Sequence, residues 1–496
     1  MLLSAREMRS PLRPSAAACL LAAVLLLAPV AAGAAREEDP ARAGAPAPAP
    51  PKADSSSPAE HDAPAGAASS LAGQLKDLYD RGSDDEVVKL AEEYLKKSPV
   101  DADIRYAAAR SLIRLGSLAT VVAESQQSFL KAYNHLQAAR AAGPSRLEIR
   151  IALCDVLYHL KRQEALLQEI GSLLAERPGD SKTLDGVAFY AEEYLKDGQA
   201  GRAADVYGLL ARAAPGSAAL VANQGTALLV SGDLDGGLAT LERAARMDPA
   251  DADTAHNIAQ ALLYRGDIPA AQEWFEKTSK ASPETGRFVL DLAVVKAIGS
   301  PQEALPLFEK AASVLVSEAQ KSLVENLRIG FTSPALLPAD LHHLAKDLRE
   351  TGYPMYSLAA AEKALRADPS LVETVLLKAD LCGEKRFHRR SLEAFRRAES
   401  MLAGLPEADR APFRVRVTVG EARAMTALGE PAAALALLKT AGPPEKFPFE
   451  NAEALIGLGN IAGARSLLEK VASRIEDHQQ AEAARQRLEE LASSLP

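Results

Sequence analysis

The stretch SAALVANQGTALLVSGDLDGGLATLERAARMDP (residues 217–249) is followed at once by ADADTAHNIAQALLYRGDIPAAQEWFEKTSKASP (residues 250–283), and the second repeats the first. Corresponding residues fall 34 apart: Gly225 with Ala259, Leu228 with Leu262, Gly232 with Gly266, Asp233 with Asp267, Leu241 with Phe275 and Pro249 with Pro283. Apolar or small residues recur at helical spacing through Val221, Gly225 and Leu228, Gly-Asp breaks the run, and a second run carries Gly237, Leu241 and Ala244. Neither copy alternates as a strand would, so each predicts two short helices. Gly232 suits a left-handed C-cap and Asp233 the N-cap of the next helix. Pro249 and Pro283 end the second helix because they have no N–H to continue it. Gly225 and Ala244 are small where the paired helices must approach closely.

These residues resemble the tetratricopeptide repeat, a helix-turn-helix unit of about 34 residues. The best matches are Ala259, Leu262, Gly266, Ala271, Phe275 and Pro283 in one unit, and Tyr190, Ala191, Tyr194, Gly198, Ala203, Tyr207 and Pro215 in another. The Trp usual in the first helix is missing, and the single Trp, Trp274, lies in a second helix. The resemblance implies an all-α, right-handed superhelical solenoid of stacked hairpins. It also implies that the first helices line a concave groove that takes an extended peptide or a partner helix.

The closing prolines carry the beat along the chain: Pro99, Pro144, Pro178, Pro215, Pro249, Pro283 and Pro369, at intervals of 45, 34, 37, 34, 34 and 86. The interval of 45 places 11 extra residues after Leu118, which should lengthen or split a second helix. The interval of 86 holds one unit with Gly299, Ala304, Phe308 and Ala311, and then a long helical run. Residues 313–337 are expected to be an irregular helical segment or hinge. The pattern returns with Leu344, Ala345, Leu348, Gly352, Ala364 and Pro369, then Ala379, Phe395 and Ala398, then two weaker units. The count is about nine to eleven repeats, in an N-terminal array over 71–312 and a C-terminal array over 338–475. A charged helix over 476–496 should cap the last apolar face.

The chain has 496 residues, a formal charge of −9 and 5% aromatics. Sparse aromatics suit thin helix-on-helix packing, and the negative charge argues against nucleic acid as a partner. Arg6, Arg9 and Arg13 precede an apolar run from Ala16 to Ala28, and Ala32-Gly33-Ala34 offers a small-x-small cleavage site. Residues 1–34 therefore read as a signal peptide, since a run of 13 falls short of the roughly 20 that span a bilayer. A lipoprotein reading of Cys19 fails because most of the apolar run follows it. The mature chain is expected to be exported, periplasmic or otherwise extracytoplasmic, with no membrane span. Residues 35–70, rich in Pro, Ala and Ser, read as a disordered tether.

Few residues carry chemistry. Cys154 and Cys382 fall on the packed side of first helices, too far apart in the repeat frame for a disulfide. His159 and Asp155 share a helix face as an ion pair, while His342 and His343 diverge. No zinc spacing, phosphate loop, nucleophile elbow or dinucleotide fingerprint occurs, so the expectation is no enzyme, no metal and no cofactor. Lys385, Arg386, His388, Arg389 and Arg390, with Arg396 and Arg397, form one basic patch at a turn. Such a patch is either solvated or meets an acidic partner or an anionic polysaccharide. The groove face carries Asn223, Thr226, Asp253, His256, Asn257, Gln260 and Tyr264. Asn223 and Asn257 recur 34 apart, and their amides either solvate the groove or bond a peptide backbone. The expected function is a non-enzymatic scaffold of the cell envelope that binds a protein or peptide. The alternatives are an accessory protein for envelope polysaccharide or appendage export, and an enzyme with an unrecognised site.

Overall fold

Gly232 stands at φ +100° and Gly266 at φ +87°, the left-handed conformation that closes a helix without a Cβ clash. The Asp233 carboxylate accepts from the Gly236 N–H at 2.9 Å and Asp267 does the same for Ala270 at 3.3 Å. These caps punctuate the chain as the repeat requires. A Cβ on Gly225 would stand 2.7 Å from Leu241 Cγ and 3.0 Å from its backbone nitrogen, so only glycine lets the paired helices approach this closely.

The computed structural model describes residues 65–143, 146–315, 317–473 and 478–494. The expected signal peptide, and the tether up to residue 64, lie outside the described residues. Among the described residues there are 24 α-helices, one short 3-10 turn and no strand. They pair as eleven antiparallel hairpins with one unpaired helix and a terminal one, the all-α repeat array expected. The chain divides into two compact units, residues 1–215 and 216–496.

Unit 1 contains α1 (Ala65–Asp80), α2 (Asp84–Leu95), α3 (Ala102–Leu118), α4 (Val122–Ala142), α5 (Leu147–His159), α6 (Gln163–Glu176), α7 (Ser181–Lys196) and α8 (Ala200–Ala213). The first helix begins at Ala65, six residues before Leu71, where Ala and Ser allow the helix to extend. The residues inserted after Leu118 lengthen α4 to 21 residues. Arg150 is 1% exposed on α5 and pairs with Glu169 and Glu176 of α6 at 2.6 Å each. Arg140 of α4 reaches the same Glu169 at 2.6 Å, so this buried charge is compensated from both sides.

Unit 2 begins with α9 (Ala218–Ser231), α10 (Leu234–Met247), α11 (Ala252–Arg265), α12 (Ile268–Ala281), α13 (Gly286–Gly299) and α14 (Pro301–Val314). The unpaired helix α15 (Glu318–Thr332) follows, opened by a capping box between Ser317 and Gln320. Its Val324, Leu327 and Phe331 are buried in the cluster that holds Phe308 and Ala345. Pairs resume with α16 (Pro338–Glu350) and α17 (Pro354–Ala367), α18 (Val372–Glu384) and α19 (His388–Ala403), α20 (Glu407–Ala427) and α21 (Pro431–Ala441), and α22 (Pro448–Gly457) and α23 (Ile461–Ala472). The last helix, α24 (His478–Ser494), covers the end of the array with Ala484 and Leu491 against Leu468 and Val471.

The unpaired helix changes which member of the next pair, α16 and α17, packs on the earlier first helices. The second helix of its hairpin, α17, packs on α13 and α11, which are both first helices. Accordingly α13 is buried all round: Phe288, Leu290, Leu292, Val294, Val295 and Ile298 are each at most 6% exposed. Lys363 of α17 donates at 2.6 Å to the carbonyls of Ala297 and Phe331, tying it to the last turns of α13 and α15.

Candidate functional site

His256, Gln260 and Tyr264 stand one helical turn apart on α11 and share one face. The structure covers that face. Gln260 Nε2 lies 3.5 Å from Met355 Sδ at the start of α17, and the Tyr264 ring packs 5.1 Å, centre to centre, from Phe387. His256 is 3% exposed and Tyr264 5%. A groove open to a peptide across these residues is therefore not present in unit 2, because the chain's own helix fills it. Asp253 is exposed, and Asn223, Thr226 and Asn257 are half-buried. Asn257 Nδ2 donates to Thr226 Oγ1 at 3.2 Å, so one recurrent amide joins neighbouring first helices.

Under α17 lies a buried polar cluster. Arg287 Nη2 is 2.9 Å and Gln260 Nε2 is 2.8 Å from His256 Nε2. Guanidinium can only donate, so Nε2 is the acceptor and the imidazole proton sits on Nδ1, which faces Asp291 Oδ2 at 3.5 Å. Tyr356 of α17 donates to Asp291 Oδ1 at 2.8 Å. Burial, assisted by Arg287, pushes the imidazole down to about 3, so it is neutral at pH 7. Burial pushes the Asp291 carboxyl up to about 6, against the pull of Arg287 and the Tyr356 hydroxyl. The His256–Asp291 contact thus joins a neutral ring to a carboxyl group. Its residue types are those of an acid–base pair, but at 3% and 1% exposure they meet α17 rather than solvent.

The basic patch is divided in the same way. Lys385 is half-buried, and desolvation lowers its ammonium pKa. Arg390 pairs with Glu393 at 2.8 Å, while Arg386, Arg389, Arg396 and Arg397 are exposed. The turn that carries them does not hang free: a Cβ at Gly232 would stand 2.4 Å from the Arg386 carbonyl oxygen. Cys154 and Cys382 are buried free thiols, and burial raises both, Cys382 to about 12. His159 lies 3.6 Å from Asp155 and also stacks on Phe129 at 4.4 Å. His342 finds partners distant in sequence, Thr374 at 3.0 Å and Glu373 at 3.5 Å. Among the described residues no three His, Cys, Asp or Glu side chains are grouped to hold a metal, and no helix is long and apolar enough to cross a membrane.

Unit 1 presents the equivalent face open. Carried back by 68, 105 and 150 residues, the spacings that also relate Ala259 to Ala191, Cys154 and Ala109, Asp253, His256 and Gln260 correspond to Asp185, Ala188 and Glu192 on α7, to Glu148, Ile151 and Asp155 on α5, and to Asp103, Tyr106 and Arg110 on α3. Glu148, Asp185, Glu192 and Arg110 are exposed, and Ile151, Ala188, Asp155 and Tyr106 are half-buried. Beside them Phe189 is 48% exposed, held edge-on against Tyr190 at 5.5 Å. The Arg110 guanidinium lies over the Tyr79 ring at 4.2 Å, next to Arg114, which forks onto Asp84 at 2.6 and 2.7 Å. Tyr158 donates to Asp197 at 2.6 Å and packs 5.0 Å from Tyr194. The same subtraction on the sequence could have found this face. The 37- and 45-residue intervals hid it behind the better-matched repeats.

No family model matches the chain, and no curated protein does. Solved structures do. The chain is 17% identical to YrrB, a TPR protein with an unusual peptide-binding site, over 38% of this chain and 97% of that one, with a TM-score of 0.30. It is 18% identical to MamA over 34% of this chain and 97% of that one, with a TM-score of 0.28. A tetratricopeptide repeat protein from Parabacteroides merdae ATCC 43184 matches 57% of this chain and 100% of its own at 12% identity and a TM-score of 0.28. The hairpin array itself rests on the helices and caps described above, and these likenesses transfer no site residue.

Proposed function

We propose that the chain is a protein-binding scaffold of the cell envelope and that α3, α5 and α7 of unit 1 hold its partner. One observation carries the reading: the first-helix face that unit 2 fills with its own α17 is left open in unit 1, with Phe189 48% exposed on it. Glu148, Asp155, Asp185 and Glu192 surround Ile151, Ala188 and Phe189, so the face suits a segment with basic residues flanking an apolar anchor. The envelope location rests on the arginine-led apolar run and small-residue site of residues 1–34. In unit 2, Asn223, Thr226 and Asn257 are half-buried on α9 and α11 and Asp253 is exposed, and they are no part of this proposed site. Pull-down from envelope extracts with wild type and Phe189→Ala/Glu192→Lys tests the reading. Loss of a specific partner, with the melting profile unchanged, is expected. Equal recovery of every partner sinks it.

A second reading makes the protein an accessory for envelope polysaccharide export. The exposure of Arg386, Arg389, Arg396 and Arg397 on one helix and its leading turn supports it. Binding of an anionic polysaccharide abolished by Arg389→Glu/Arg396→Glu would favour this reading, and unchanged binding would remove it.

A further inference from the structure

The cover over the filled face of unit 2 has two unlike halves. Over α13 it is apolar and well bonded: Leu290, Val294, Ala297 and Ile298 are each at most 5% exposed beneath α17. There Tyr356 reaches Asp291, and Lys363 closes two carbonyls. Over α11 the cover is Met355 together with the turn at residues 384–388, and the groups beneath it are polar. Tyr264 Oη is buried without a hydrogen-bond partner, and His256 Nδ1 and Asp291 Oδ2 have none beyond their own contact at 3.5 Å, whereas buried polar groups in folded proteins are nearly all paired.

The turn is itself ill at ease. Seven hairpin turns place glycine in the left-handed region: Gly82, Gly198, Gly232, Gly266, Gly352, Gly429 and Gly459. Here Arg386 takes φ +62° with a full side chain, as Lys161 does at φ +56° in the α5–α6 turn, and its carbonyl faces Gly232, where an added Cβ would stand 2.4 Å away. Lys385 is half-buried with no carboxylate in ion-pair reach among the described residues; Glu384 before it is held by Arg349 at 2.8 Å, and Phe387, 6% exposed, is the turn's apolar anchor. The backbone N–H groups of residues 385–388 are bonded within the turn and to the end of α18, so its weakness lies in the strained Arg386 and in the side chains, and local opening is drawn from such regions.

We propose that residues 385–388 are a strap over Tyr264 at the end of α11, lifting from α11 while α17 stays seated on α13. Lifting exposes Tyr264, whose ring packs on Phe387, and uncovers Cys382, whose carbonyl accepts the Phe387 N–H at 2.9 Å. The inference stands apart from the binding reading, because opening is measured on the chain alone.

The buried Cys382 thiol reports the motion. Full-length protein is pulsed with iodoacetamide across a urea series, and Cys19, Cys154 and Cys382 are scored separately by peptide mass spectrometry. Below the unfolding transition, Cys382 should label at a rate nearly independent of urea, since a strap exposes little surface, and at least about tenfold faster than unfolding of unit 2 allows. Tyr264→Phe, which removes the unpartnered hydroxyl, should slow that labelling several-fold. Labelling of Cys382 only along the urea dependence of unfolding would overturn the proposal. So would unchanged or faster labelling in Tyr264→Phe.

Discussion

Units 1 and 2 are built from the same hairpin, yet they use its inner face in opposite ways. In unit 1, α5 and α7 carry carboxylates and Phe189 at the inner positions, and these remain in contact with solvent. In unit 2, α13 puts Leu290, Val294 and Ile298 at the corresponding positions, and α17 buries them. Repetition fixes how a hairpin pairs with its neighbour. It does not fix whether the inner face stays open, because that depends on the chemistry of a few positions and on where a distant helix arrives.

The sharpest way to break this contrast is a pair of phenylalanines. Phe387→Ala removes a buried ring from Tyr264 and should cost unit 2 about 3 kcal/mol. Phe189→Ala, at a half-exposed ring, should change stability by no more than about 0.5 kcal/mol. Urea denaturation of both variants measures the gap, and equal losses would mean that unit 1 hides its inner face as well.

A second pair isolates closure from backbone strain. Gly352 and Gly232 both have φ near +90°, at +87° and +100°. A Cβ on Gly352 meets nothing within 4 Å, while one on Gly232 meets the Arg386 carbonyl. Gly352→Ala should therefore cost about 1 kcal/mol and Gly232→Ala at least about twice that, with faster Cys382 labelling only in the latter. Thermal melts and labelling decide it, and matching behaviour would separate the turn from hairpin α9–α10.

The smallest expected effect is a pH slope. His256 is depressed, so its contribution is present above its ordinary value of 6.5 and is lost as pH falls toward about 3. Asp291 is raised, so its contribution is full below its ordinary 3.8 and is lost as pH rises through about 6. Between pH 6 and pH 4 the two oppose each other and largely offset. Removing one should reveal the other. Between pH 7 and pH 5, Asp291→Asn should itself lose about 2 kcal/mol from unit 2, and His256→Gln should itself gain about 1 kcal/mol, with wild type between them. Urea titrations at the two pH values give the slopes, and parallel slopes in all three proteins would show that the cluster is not coupled in this way.

The hairpin was legible in the sequence because its signals are local. Gly-Asp turns, closing prolines and small residues at Gly225 and Ala244 each act within one repeat. The same holds for α24, whose charged face and few apolar residues describe a lid. The fate of the inner face was not legible from His256, Gln260 and Tyr264, which look like any polar stripe. It is set by α17, about 95 residues later, brought there by an unpaired helix that no single repeat announces. A trace of it did exist: FVLDLAVVKAI in α13 is apolar on every side, a pattern that needs cover on every side.

That unpaired helix has a consequence for how such a chain can grow. Hairpins are gained or lost in twos, and a gain of two leaves the sense of everything downstream unaltered. One extra helix acts like a local frameshift: in the pair that follows it, α17, which would have been an outer rib, becomes an inner wall against α13 and α11. Excising α15 should therefore do more than shorten unit 2. It would return α17 to the outer row and leave the oily flank of α13 with nothing to lean on.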